Sequence, residues 1–372
     1  MKVTILGYNH SVNDKRVLRT VRAISKECEV VYIYRRYPHL LDEERKLEKE
    51  LINVKFVPIE KKGRGGLSRL LFDKENVSAV LDNDTDIWYF HRVPYLFPLL
   101  LFKEGRKRGK RIIYDTHEFF PWHSFANFTR GKPMLDLLRR NWLWGIYRYQ
   151  IFNSDVVIQV SYSIAMHTEK VLGKFPGIHV VVPNLAMKVD LNEDAWFKKD
   201  DRIVYVGGVD RALYVDYIRK LVSELDVSFE YISKSPSQIL EKMIPDRVTW
   251  YNPMPYEDMM RWLSTAKWSL LTFSHFNNLT YVYSLPNKFF DSLYAGVPVI
   301  VHKDFIEMSA WVKKYGVGVV VDDSLDDVLN ANYEEIMDAL IKNRHKFVWN
   351  DYWDNYLLKL VKGEQVKGEV GR

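Results

Sequence analysis

The sequence predicts an α/β protein made of two doubly wound, parallel-sheet domains. Three observations lead there. Short apolar runs, punctuated by Gly, Pro, Asn and Asp, alternate with helical-period segments from Lys2 to Val321. The alternation starts afresh at Asp201, after a polar stretch over 186–201. The chain has 372 residues, long for one domain and comfortable for two.

Taken in order, Lys2 to Gly7 is an apolar strand, Tyr8 to Asp14 a polar loop, and Arg16 to Lys26 a helix marked by Val17, Val21 and Ile24. That is the first half of a βαβ unit. Strands follow at Glu29–Tyr34 and Val54–Ile59, with a charged helix over 42–51 between them. Lys61-Lys62-Gly63-Arg64-Gly65-Gly66 matches neither the P-loop nor the dinucleotide spacing. It reads as a basic surface loop, able to contact an acidic acceptor. Asp86–His91 is a strand, Tyr95–Phe102 a helix, and Arg111–Asp115 a strand running into Thr116-His117-Glu118. In parallel sheets ligands gather at the carboxyl ends of strands, which puts His117 and Glu118 in position for chemistry. A histidine that merely caps a strand end fits the same pattern. Strands at Asp155–Val160 and His179–Val182 complete the first series.

The second series opens with the strand Arg202–Val206 and Gly207-Gly208, which permit close backbone approach to a ligand; Arg211 is within reach of a phosphate. Strands are expected at 227–232, 248–251, 268–273 and 317–321, with helices near 213–221, 236–243, 256–266 and 305–315. Within this series, the stretch from Ser284 to Val301 is the most informative. Pro286 suits a helix start, Gly296 a left-handed helix end, and Val297–Val301 a buried strand. The helix start offers free N–H groups and a partial positive charge, and Lys288 adds a full one, which together suit a diphosphate. Asn287 and Asp291 are spaced to share a face, and Asp291 is placed to hold ribose hydroxyls. Helices with a proline start and a glycine stop are common, so this stretch needs support from the rest of the chain.

Composition narrows the function class. The formal charge of +6 permits an acidic ligand or an anionic membrane surface. Aromatic residues and arginines interleave over 119–152, which suits a core helix and equally a lipid interface. The charged run 103–111 reads as a helix end and turn, or as a contact with anionic lipid. No DNA- or RNA-binding motif accompanies these residues, so nucleic acid is not an expected partner. A lone cysteine, Cys28, fits a reducing compartment. Without a signal peptide or a run of roughly 20 apolar residues, the expectation is a cytoplasmic protein that can touch the inner face of a membrane.

Several of these segments resemble one family, the GT-B-fold retaining glycosyltransferases that build bacterial and archaeal surface polysaccharides. Asn13-Asp14-Lys15-Arg16-Val17 resembles their "ND-x-RV" start, and Tyr114-Asp115-Thr116-His117-Glu118-Phe119-Phe120-Pro121 their "YD-x-HE-x-FP" segment. Val182-Pro183-Asn184, Val206-Gly207-Gly208 and the 286–300 stretch match in turn, as does Trp349 with its following helix. The resemblance implies two Rossmann-like domains facing across a cleft: 1–185, joined by a crossover helix at 346–362, and 186–345. It implies a metal-independent transfer from a nucleotide diphosphate sugar, with no cofactor, to a glycan or lipid-linked acceptor. The donor would meet Gly207, Gly208, Arg211, Tyr283, Ser284, Leu285, Pro286, Asn287, Lys288 and Asp291. His117 and Glu118 would act at the reacting carbon, and Asn13, Asp14 and His91 would face the acceptor. One departure stands out. Where the family carries the first of two glutamates with seven residues between them, this chain has Tyr283, with Asp291 at the second position. A sugar-nucleotide epimerase of the same fold, or a module that binds without catalysis, are the competing readings.

Overall fold

The computed structural model describes residues 1–61, 63, 66–83, 85–92, 98–117, 119, 133–192, 196, 198–208, 215–271, 278–322 and 324–367. The chain divides into two compact units, Met1–Pro183 with Asn350–Arg372, and Asn184–Trp349.

The first unit holds seven parallel strands: β1 (Lys2–Leu6), β2 (Glu29–Arg35), β3 (Val54–Ile59), β4 (Ile87–Phe90), β5 (Arg111–Asp115), β6 (Val156–Gln159) and β7 (Ile178–Val181). Their order is β3-β2-β1-β4-β5-β6-β7, so the chain reverses direction across the sheet between β1 and β4. Central strands are buried on both faces and read as unbroken apolar runs; β4, Ile-Trp-Tyr-Phe, is buried throughout. The helix after β1, Lys15–Ser25, is started by Asp14, whose carboxylate accepts the backbone N–H groups of Arg16 and Val17. The terminal helix Asp351–Lys362 belongs to this unit and packs on Lys15–Ser25, burying Leu357, Leu358, Leu360 and Val361. Lys26 pairs with Asp354 at 2.6 Å, and the Arg111 guanidinium donates to the Leu360 carbonyl at 3.1 Å.

The second unit holds β8 (Asp200–Val206), β9 (Ser228–Ile232), β10 (Val248–Tyr251), β11 (Ala266–Leu270), β12 (Val299–His302) and β13 (Gly318–Val321). All pair in parallel, in the order β10-β9-β8-β11-β12-β13. The polar stretch 186–201 is less of a linker than its composition suggests. Ala186, Leu191 and Trp196 are buried, and Ala186 bridges to Val348.

The structure differs from the sequence reading in a few places. The long helix Gly66–Leu81 and the helices Asp326–Leu329 and Tyr333–Asn343 are not apparent in the apolar pattern. The helix predicted at 95–102 runs Pro98–Lys107, so most of the charged run 103–111 is helix. The strand predicted over 268–273 ends at Leu270. Among the described residues no helix is long and apolar enough to cross a membrane.

Candidate functional site

In the second unit the helix Asn287–Tyr294 starts one residue later than expected, with Pro286 as its N-terminal cap at φ −72° and ψ 154°. Pro286 offers this end no side-chain cap; the Phe289 N–H turns back to the Pro286 carbonyl at 3.0 Å, and the helix dipole still presents its positive end here. The preceding loop is tied down where the Asn184 amide donates to the Leu285 carbonyl at 3.1 Å. At the other end Gly296 has φ +76°, and a side chain there would meet the Trp196 ring at 2.7 Å, so glycine is required twice over.

Lys288 projects from the first turn of this helix to the end of β8. Its ammonium donates to Tyr205 Oη at 2.7 Å and lies 4.0 Å from the centre of that ring. Tyr205 in turn donates to the Gly208 carbonyl at 3.0 Å. Gly207, at φ +135°, passes so near that a Cβ would lie 2.7 Å from Lys288 Nζ. The glycine turn and the basic helix start therefore form one feature, although 80 residues of sequence separate them. Burial pulls the Lys288 ammonium down to about 7. An anion arriving here would restore its charge.

Asn287 and Asp291 do not share an environment. Asn287 is exposed, whereas Asp291 is 5% exposed and accepts a hydrogen bond from Tyr256 at 2.7 Å. Tyr256 Oη also accepts the Met187 backbone N–H at 3.1 Å. Tyr283 and Ser284 are partly buried, and Ser284 donates to the Tyr281 carbonyl. Arg211 lies outside the described residues.

In the first unit the carboxyl ends of β1, β4 and β5 bring three imidazoles together, at the point where strand order reverses. His91 Nδ1 and His117 Nε2 are 2.7 Å apart, and the rings of His10 and His117 lie 4.6 Å apart, centre to centre. His91 Nε2 is buried without a hydrogen-bond partner among the described residues. A proton there would be a stranded donor, so the favoured tautomer has His91 Nδ1–H donating to His117 Nε2. Burial, reinforced by Arg16 and His10, pushes the His91 pKa well below its ordinary value. Burial does the same to His117, helped by His10 and His91. Both rings are neutral near pH 7.

Beneath them Asp115 is fully engaged. Arg16 donates to Oδ1 through Nε at 3.0 Å and Nη2 at 2.6 Å, and Tyr89 donates to Oδ2 at 3.1 Å. Arg16 also reaches the Val182 carbonyl at 3.0 Å. Asp14 is likewise occupied, as helix cap and as partner of His10 Nδ1 at 2.8 Å. Burial raises its pKa, but His10 and the Val17 N–H outweigh that and hold it down to about 2. Asn13 is exposed, and its Oδ1 accepts from Ser11. Glu118 lies outside the described residues. His91, Asp115 and His117 offer ligand atoms within 4.8 Å of one another. With Asp115 held by a guanidinium, which repels a cation, this donor set suits a hydrogen-bonded imidazole pair better than a metal.

Sequence reasoning missed His10, Tyr205 and Tyr256. His10 was hidden in a polar loop, and both tyrosines were read only as strand and helix positions.

No family model and no curated protein matches this chain. Solved structures do. Anabaena Alr3699/HepE, in complex with UDP and glucose, superposes with a TM-score of 0.66 at 10% identity, over 98% of both chains. A glycosyltransferase from Rickettsia africae gives 0.62 at 10% identity, over 98% of this chain and 99% of that one. A Listeria monocytogenes protein described as a UDP-N-acetylglucosamine 2-epimerase gives 0.55 at 11% identity, over 97% and 96%. At such identities the likeness establishes the fold: this chain has the two Rossmann-like domains of GT-B.

Proposed function

We propose that this GT-B protein is a glycosyltransferase that moves a sugar from a nucleotide diphosphate sugar to a hydroxyl acceptor, retaining the anomeric configuration and needing no metal. The carrying observation is the convergence of Gly207, Tyr205 and Lys288 on the uncapped start of the helix Asn287–Tyr294. Breaking the glycosidic bond puts negative charge on the leaving diphosphate. Groups that grip that charge more tightly in the transition state accelerate the step. Lys288, the backbone N–H groups near Leu285 to Asn287 and Arg211 take that role in this reading, and Asp291 holds the ribose. HepE structures in complex with UDP and with UDP-glucose support a donor of this class.

Imidazoles held well below 6.5 are weak bases. His117 therefore orients the acceptor hydroxyl and donor sugar by hydrogen bonding, and His91, itself buried, donates from Nδ1 to hold the His117 ring. The departing phosphate, with a second pKa near about 6, is the stronger proton acceptor. Glu118 is the further candidate at the reacting carbon, and Asn13 and Asp14 shape the acceptor side. In this reading the acceptor is a glycan or lipid-linked sugar in surface polysaccharide or glycolipid synthesis, and the enzyme works at the cytoplasmic face of a membrane. Met134, Leu137, Leu138 and Trp142 support that placement, as exposed apolar residues on one helix with Arg139.

The test is a thermal-shift screen with UDP, GDP, ADP, dTDP and their sugars, followed by product analysis. A specific nucleotide should raise the melting temperature, and acceptor addition should speed consumption of its sugar. The epimerase reading is favoured by the Listeria structure, and consumption independent of acceptor would select it. Tyr283, in place of the family's first glutamate, favours a module that binds without catalysis. Tight nucleotide binding with no turnover would select that.

A further inference from the structure

The carboxyl ends of β1 to β4 frame a second recess in the first unit. It is a cavity of about 210 Å³ whose lining includes Arg35, Lys61, Arg69 and Arg92 and, among the described residues, no carboxylate. Tyr8 and Asn9, in the turn after β1, line it too. The Asp73 carboxylate acts on Arg69 and Lys61 from outside the lining, and the positive excess that remains favours an anion in the recess.

The details point to a ligand. Arg35 stacks 4.6 Å over Tyr37 and 5.9 Å from the Phe72 ring centre, which fixes the guanidinium without neutralising it. Among the described residues its Nε is buried with no hydrogen-bond partner, and so is Asn9 Oδ1. The first is a donor suited to an anionic oxygen, the second an acceptor suited to a hydroxyl. Asp73, fully buried behind Tyr8, which donates to its Oδ1 at 2.6 Å, offsets only part of the charge, through Arg69 and Lys61. Tyr8 itself is held at φ +53°, a costly conformation for a tyrosine and of the kind found where a backbone is shaped around a ligand. The volume corresponds to about seven waters, smaller than a whole small-molecule site, so this is a subsite. Asn9 precedes His10, and Arg92 follows His91, so it adjoins the imidazole cluster.

We infer that this recess binds the phosphate or diphosphate of an acidic acceptor, whose sugar hydroxyls face Asn9 and the histidines. The inference deepens the glycosyltransferase reading and rests on it for the word acceptor. The anion site itself stands on the cavity alone. Two sources offer the same chemistry, a soluble sugar phosphate and a polyprenyl-linked sugar phosphate.

The experiment is calorimetric titration of the whole protein with glucose 6-phosphate and with glucose, in wild type, Lys61→Met, Arg35→Met/Lys61→Met and Lys288→Met. Glucose 6-phosphate should bind wild type and Lys288→Met alike. It should bind Lys61→Met about tenfold more weakly and the double variant more weakly still. Salt should weaken binding, and glucose should not bind. A second arm sediments neutral vesicles with and without polyprenyl phosphate. Capture that needs the polyprenyl phosphate and is lost in the double variant supports the inference with a lipid-linked acceptor; binding of glucose 6-phosphate alone supports it with a soluble one. Binding of neither anion by wild type, or equal binding by the double variant, overturns it. Lys61 is partly exposed, so its single variant guards against misfolding, and unchanged nucleotide binding in both variants confirms an intact fold. A failed nucleotide screen beside successful anion titration would instead remove the donor assignment and leave the anion site standing.

Discussion

Lys288 Nζ lies 2.7 Å from the phenol oxygen of Tyr205, at the amino end of a helix that no side chain caps. This contact makes donor binding sensitive to pH in a defined direction. Burial holds the free ammonium to about 7, and a bound diphosphate would raise it again. Binding above pH 7 must then take up a proton, and affinity should fall from pH 7 to 9. Calorimetry of a nucleotide sugar in buffers of different ionisation heat reads the uptake directly. Lys288→Met should abolish it and weaken binding by about 1.5–3 kcal/mol. Stability of the free protein has the opposite sense. The folded pKa lies below the unfolded value of about 10.4, so the cost of burying the ammonium is complete below pH 7 and relieved as pH rises toward 10.

Gly207→Ala offers a second check on the same feature. The substitution places a methyl group against Lys288 Nζ in a backbone conformation, φ +135°, that side chains avoid. Donor affinity should fall at least about tenfold, and inorganic pyrophosphate affinity should fall in parallel, because the damage lies at the diphosphate.

Asp291 and Tyr256 separate ribose recognition from phosphate recognition. If Asp291 holds the ribose, Asp291→Asn weakens nucleotide binding by about 1–3 kcal/mol and leaves pyrophosphate binding unchanged. Tyr256→Phe removes one buried partner of the carboxylate and should cost about 1–2 kcal/mol of folding stability. Equal loss of nucleotide and pyrophosphate binding in Asp291→Asn would assign the carboxylate to loop structure instead.

The central strands were legible because they are buried on both faces and read as near-continuous apolar runs, with glycine directly after β1 and β8. The helix Gly66–Leu81 was not, because its buried stripe contains Asp73 and Asn76 beside Phe72, Val77 and Val80, which breaks the apolar period. Lys288 and Gly207-Gly208 were each visible as motifs, but only folding shows that they meet. Asp14 was read as an acceptor-side acid and Asp291 as a ribose-holding one, and their spacing carries no sign of the helix start and the tyrosine that occupy them. The recess at the ends of β1 to β4 left one local trace, Lys61 in the basic loop, since its other cations lie scattered from Arg35 to Arg92.

The imidazole pair predicts a flat pH profile where most histidine enzymes titrate. Both pKa values lie well below 6.5, so kcat should be level from about pH 6.5 to 8. His117→Ala should lower kcat by about 10- to 100-fold with donor affinity unchanged, the size of a lost positioning contact. Stability gives an independent readout. Between the folded pKa and 6.5 the unfolded chain binds more protons, so stability is full above about pH 6.5 and declines as the solution is acidified. His91→Asn should flatten that decline, as followed by urea denaturation at pH 5 and pH 7.

Arg16 and Asp115 form the buried ion pair on which the imidazoles rest, with side chains 4% and 3% exposed. Their charges left water on folding, and two guanidinium nitrogens on one carboxylate oxygen, with Tyr89 on the other, offset the loss. Removing one partner leaves the other charged and stranded. Arg16→Met should therefore cost about 3–5 kcal/mol in denaturant unfolding, and Asp115→Asn a comparable amount. The double variant Arg16→Met/Asp115→Leu strands neither charge and should recover much of that stability. Its activity should stay low, because His91 Nδ1, 3.5 Å from Asp115 Oδ2, loses the carboxylate that helps fix its tautomer. Recovery of both stability and turnover would show that the pair only supports the fold; recovery of stability alone would show that it also orients the imidazoles.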